Sequence, residues 1–218
     1  RDGVLVGECA LPSKVLPPGA QQSHELLNAS AGTVEFRFLP DWTGQSYGFY
    51  RQFDVNQVGH VLLHFGPVRP DYVYTVNFSS LVIDLNSTSY LRAASYLRDY
   101  CGWSVQANLD GQEGWEPHRW HHLAVVWDSR APLADGLRIY LDGRRVSCEP
   151  EVIKPERMNN PGSVQVYTAE PYALQLGCIV NGRLPGRVYL DDLRISRVVR
   201  YSADFAPPQT APALDADA

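Results

Sequence analysis

The clearest pattern in the chain runs from His118 to Val146, where apolar residues recur at every second position. Leu123, Val125 and Trp127 fall on one side of an extended strand, and His122, Ala124 and Val126 on the other. After a polar connection containing Pro132 and Gly136, Leu137, Ile139 and Leu141 repeat the alternation. Asp142-Gly143 then predicts a tight turn, because Gly accepts positive φ, and a third short strand runs through Val146. Upstream, Gly32-Thr33 opens a strand in which Val34, Phe36 and Phe38 share a core face while Thr33, Glu35 and Arg37 turn away, and Pro40 ends it. From His60 to Phe65, Val61, Leu63 and Phe65 alternate with His60, Leu62 and His64.

The remaining segments extend this picture. Tyr72 to Leu85 holds one or two strands split near Ser79-Ser80, and Trp103 to Ala107, Val164 to Tyr167, Ala173 to Cys178 and Arg187 to Ile195 read as strands. Ser89 to Gly102 fits two readings: Tyr90, Ala94, Leu97 and Cys101 line a helical face, while Tyr96, Arg98 and Tyr100 fit strand alternation. The Pro-rich start, the aromatic-rich stretch from Asp41 to Phe53 and Pro150 to Pro161 read as irregular. About a dozen short strands predict an all-β protein, a two-sheet antiparallel sandwich. The folded unit is placed at residues 1–208, with 209–218, rich in Pro, Ala and Asp, as a tail or linker to another domain.

Composition narrows the function. A chain of 218 residues with 44% hydrophobic residues can bury one full core, and a net charge of −5 argues against a nucleic-acid partner. No apolar run approaches the length of a membrane span, and the start at Arg1 without a Met or signal peptide reads as an excerpt from a longer protein. Cys9, Cys101, Cys148 and Cys178 lack the C-x-x-C spacing of a zinc site. Their even number suits a secreted protein with up to two disulfides, with buried free thiols as the alternative. Of the three pairings, Cys148 with Cys178 is preferred because both end predicted strands. Asn28, Asn77 and Asn86 begin N-glycosylation sequons.

The motifs GTVEFRFLP at Gly32, WHHLAVVW at Trp120, LRIYLDG at Leu137, LQLG at Leu174 and YLDDLRIS at Tyr189 together resemble the laminin-G-like branch of the concanavalin-A-like lectin/glucanase superfamily. The resemblance covers roughly residues 30 to 208. It implies a jelly roll of two antiparallel sheets, one concave, with ligands on the concave face or its rim loops. It makes Trp120 and Trp127 core residues and His121-His122 part of a fold signature. Glucanase-type members carry closely spaced acids on one strand, as glycoside cleavage requires, and no such run occurs here. Lyases of this fold use His, Tyr and Arg, which would be His64, His122, Tyr140 and Arg37. The same resemblance implies a bound calcium ion, for which Asp191 and Asp192 are the candidate ligands.

Sugar recognition combines aromatic faces with convergent polar groups. Trp42, Tyr47, Tyr50, Trp103 and Trp115 lie in or beside predicted loops with Arg51 nearby, and Trp115 in EGWEP is the foremost candidate. The sequence therefore reads as a secreted or cell-surface, non-catalytic carbohydrate-binding module of a larger protein, with a glycan or polysaccharide as partner. A polysaccharide lyase or hydrolase and a protein-binding adhesion module are the alternatives.

Overall fold

The computed structural model describes residues 4–6, 27–40, 59–67, 81–86, 90–97, 101–109, 115–116, 118–153, 164, 172–177, 186, 188–211 and 215–217. The described strands form two six-stranded antiparallel sheets. Sheet I runs in the order β1 (Val4–Val6), β12 (Val188–Ser196), β2 (Ala31–Pro40), β7 (His121–Asp128), β8 (Leu137–Leu141) and β9 (Arg144–Arg145). Sheet II runs β10 (Glu149–Ile153), β6 (Cys101–Asn108), β5 (Tyr90–Leu97), β4 (Leu81–Asn86), β3 (Gly59–Pro67) and β11 (Tyr172–Leu176). The chain meanders through β3 to β6, crosses to β7 through β9, and returns to place β10 and β11 at opposite edges of sheet II.

The alternation read from the sequence sets the core. Val34, Phe36, Phe38, Leu123, Val125, Trp127, Leu137, Ile139 and Leu141 from sheet I meet Leu63, Phe65, Leu81, Ile83, Leu85, Leu91 and Ala93 from sheet II. Gly32 makes room for the Trp127 ring: a Cβ there would sit 2.1 Å from it. The ring nitrogen in turn donates to the Asn28 carbonyl at 2.7 Å. Asn28 is thus built into the fold, its side-chain amide also donating to the Arg197 carbonyl. The Asp142-Gly143 turn forms as expected, with φ of 51° and 80°, the double positive φ of a two-residue hairpin that matches strand twist.

Of the two readings of Ser89 to Gly102, the strand is the one that forms, over Tyr90–Leu97, because it pairs along both edges, with β4 and with β6. Several other expectations are corrected. Glu149–Ile153 is a strand rather than loop; it bonds β6 on one side and lies at the sheet edge, where Pro150 is tolerated. Val4–Val6 adds an edge strand to β12 within the Pro-rich start. Val164 is buried, but its amide bonds the Ala29 carbonyl outside any strand. Trp120 is half-buried and outside the core cluster, whereas Trp127 is central to it.

The preferred disulfide is also corrected. Cys148 is a free thiol whose Sγ donates to the Val146 carbonyl. Cys148 enters β10 at one edge of sheet II and Gly177 leaves β11 at the other. Five strand spacings of about 4.8 Å separate those edges, roughly 24 Å in all, far beyond the reach of a disulfide. Cys9, Cys178 and the Cys101 side chain lie outside the described residues.

Candidate functional site

Each sheet has one face on the core and one turned away, and the two outward faces differ. On sheet I the outward residues Ala124, Val126 and Tyr140 form a second apolar cluster, covered by Val199, Tyr201 and Phe205 of the segment that follows β12. Tyr201 and Phe205 stack at 3.6 Å between centroids, and the Phe205 amide bonds the Gly143 carbonyl. Arg37 donates to the Pro208 carbonyl, and Arg200 pairs with Asp215 at 2.6 Å. The Arg197 amide bonds the Asp217 carbonyl, so the stretch assigned to a tail folds back onto the domain.

Beneath this strap lies Glu35, fully buried. Its Oε1 accepts from Arg194 Nε at 2.7 Å, and its Oε2 accepts from the Tyr201 hydroxyl at 2.7 Å and from His122 Nε2 at 3.1 Å. Burial pushes the carboxyl upward, but the hydrogen bonds from His122, Tyr201 and Arg194 outweigh it and hold Glu35 below its ordinary value. Burial together with the Glu35 bond drives the Tyr201 hydroxyl up to about 12. A β-bulge between Asp191 and Arg194 re-aims β12 so that Arg194 meets Glu35. Inside the bulge Asp192 takes φ 56°, its amide bonds Asp191 Oδ1, and its carboxylate lies 3.6 Å from Arg37. Of the two proposed calcium ligands, Asp191 borders the bulge in register with Arg37, and Asp192 lies within it, facing that arginine. Among the described residues no group of three His, Cys, Asp or Glu could hold a metal ion.

The paired histidines serve the same architecture. His121 Nδ1 meets Asp142 Oδ2 at 2.7 Å, its Nε2 meets the Glu116 carbonyl at 2.8 Å, and Asp142 Oδ1 accepts the His122 amide. The turn after β8 is thereby tied to β7. Trp115 packs into this joint: its ring lies 4.8 Å from His121 and stacks at 6.2 Å on Phe38. The foremost ligand candidate is therefore half-buried in a packing role. Trp103 is fully buried in the core, its ring against Gly136, and cannot present a face to a sugar. Trp42, Tyr47, Tyr50 and Arg51 lie outside the described residues.

Sheet II presents a polar row on its outward face. β11 pairs Gln175 with His64, and β5 pairs Ala94 with Ser104. All four are at least 97% buried although none belongs to the core cluster. The next row brings Arg92 opposite Gln106, both half-buried. Gln175 hydrogen-bonds His64, yet burial dominates and lowers the imidazole to about 4, so it is neutral at pH 7. Among the described residues, His64 Nδ1 and Gln175 Oε1 have no hydrogen-bond partner. Gln175 escapes a reading of the sequence, since nothing in LQLG shows that β11 pairs with β3.

His64 and the other lyase candidates do not assemble. His122, Arg37 and Tyr140 lie together on the outward face of sheet I, beneath the strap, and His64 lies on the outward face of sheet II. The whole core stands between them, two sheets about 10 Å apart.

The depressed His64 value has a measurable consequence. The unfolded histidine, near 6.5, takes up a proton that the folded one refuses until about 4. Stability is therefore expected to fall as the pH drops through that window, by up to about 1.4 kcal/mol per pH unit. Urea midpoints of wild type and His64→Leu at pH 7 and pH 4.5 check this, and the variant should lose much less on acidification.

No family model matches the chain, and no curated protein matches it in sequence. Among solved structures it is similar to the CBM40 of Ruminococcus gnavus IT-sialidase bound to α2,3-sialyllactose, with a TM-score of 0.56, 10% identity and 92% of each chain covered. The same module bound to α2,6-sialyllactose aligns with a TM-score of 0.55 and 9% identity over 92% of this chain and 91% of that one. At such identities the likeness establishes the fold, a jelly-roll sandwich shared with carbohydrate-binding modules.

Proposed function

We propose that this protein is a non-catalytic, lectin-like glycan-binding module of the laminin-G-like kind, and that its sugar site is the outward face of sheet II. The observation that carries the reading is the buried His64–Gln175 pair, whose ring nitrogen Nδ1 and amide oxygen have no hydrogen-bond partner among the described residues. A neutral imidazole and an amide suit sugar hydroxyls, which both donate and accept. Ala94 and Ser104 lie in the same row, and Arg92 and Gln106 flank it. The sheet I face is closed by the chain's own strap. The separation of His64 from His122, Arg37 and Tyr140 supports a binding rather than a lyase role. Such a module belongs on a secreted or cell-surface protein.

Sialyllactose is the first ligand to try, because the similar modules bind it. A glycan array followed by titration calorimetry is expected to find a binder whose affinity falls at least about tenfold in His64→Ala and in Gln175→Ala, the cost of leaving a buried hydrogen-bond partner unmatched. No glycan bound at millimolar concentration, or affinities unchanged in both folded variants, would overturn the proposal.

A further inference from the structure

A cavity of about 440 Å³ opens at the free edge of sheet I, between β8 and the β9–β10 connection. Leu137, Arg138, Arg145, Val146, Cys148 and Asp204 are among its lining residues. Arg138 is 92% buried, and among the described residues neither its Nε nor its Nη2 has a hydrogen-bond partner. A buried guanidinium left this way is costly, because the desolvation of these two donors is not offset by a bond.

The carboxylates nearby are already engaged. Asp135 pairs with Arg145 at 2.5 Å, Asp128 accepts Arg130 through both oxygens, and Asp204 accepts the Arg145 amide at 2.8 Å. Arg138 acts on Asp128 and Asp135 through space without bonding either. The Cys148 thiol beside it is pushed by burial up to about 11, so it adds no competing negative charge. The volume lies in the range that holds small ligands.

We propose that this cavity is an anion-binding site in which the Arg138 fork takes one small oxyanion, a carboxylate, sulfate or phosphate group. A guanidinium offers paired, coplanar donors that match two oxygens of such a group. The site is separate from the sheet II face, and its ligand need not be a sugar.

Thermal shifts and calorimetry with sodium sulfate, inorganic phosphate and glucuronate, each against chloride at matched ionic strength, test the proposal and identify the preferred oxyanion. A saturable stabilisation is expected from at least one of the three. It should weaken at least about tenfold in Arg138→Gln, the loss of charge-assisted hydrogen bonds, and tighten in Asp204→Asn, which removes a repelling charge at the rim. Without anion, Arg138→Met should be at least as stable as wild type, since an apolar side chain replaces an unpaired buried cation. Shifts that do not saturate, or that are equal in Arg138→Gln, overturn the proposal. If Arg138→Gln fails to fold, an anion affinity unchanged in Asp204→Asn overturns it instead. The glycan proposal is read by His64→Ala and Gln175→Ala, so either site can fail without the other.

Discussion

Glu35→Ala is expected to cost about 3–5 kcal/mol, a large share of the stability of a domain this size, because it removes one partner from a buried charged cluster and strands the rest. The carboxylate accepts from Arg194, Tyr201 and His122, three groups brought from β12, the strap and β7. Deleting it leaves the Arg194 guanidinium, only 11% exposed, without this counter-charge. Chemical denaturation of Glu35→Ala, Arg194→Met and the double variant would measure the coupling. The double variant should recover part of the single loss, since no buried charge then remains unpaired. Additive losses would show that the cluster is not an energetic unit.

The same carboxylate sets an acid limit. Its folded value lies below the ordinary 4.5, so its contribution is complete above pH 4.5 and is lost as the pH falls through the folded value. That window lies below the one assigned to His64, which begins near 6.5 and ends near 4. Glu35→Gln should therefore flatten the steepest acid part of the stability profile, while His64→Leu should flatten its shoulder above pH 4.

The sandwich was legible in the sequence because alternation reports burial directly. Val34, Phe36, Phe38, Leu123, Val125 and Trp127 needed no knowledge of their partners to be placed on the core. Where the reading erred or stayed open, pairing or covering decided the outcome. The segment from Tyr90 became a strand because β4 and β6 flank it, and Glu149–Ile153 became one because β6 has a free edge to offer. Residues such as Glu35, His122 and Tyr140 were correctly turned away from the core, yet alternation cannot reveal a second covering layer contributed 60 or more residues later. The Glu35 cluster depends on a bulge in β12, and the His64–Gln175 pair depends on the β11–β3 register. Neither is written in local periodicity. Trp115 shows the converse: its place between turn residues suggested exposure, but Phe38 and His121 lie against it.

Removal of everything after Arg197 is expected to abolish the stable monomer. The strap covers Ala124, Val126 and Tyr140 with Val199, Tyr201 and Phe205, six apolar side chains brought out of water. At roughly 1–2 kcal/mol for each, their burial approaches the net stability of an ordinary domain. Truncation also takes the Tyr201 bond from Glu35 and the Phe205 bond from the Asp142-Gly143 turn. Graded variants separate these contributions. Tyr201→Phe removes a single hydroxyl and should cost about 1–2 kcal/mol. Gly143→Ala should cost more, since its Cβ would lie 1.9 Å from the Phe205 carbonyl oxygen and its φ of +80° disfavours any side chain. Size-exclusion chromatography, circular dichroism and limited proteolysis of the truncated chain should show aggregation or unfolding, with recovery when a peptide of residues 198–218 is added in trans. A truncated monomer melting at the parent temperature would show instead that the strap is an appendage, and the sheet I face would then be open to a ligand.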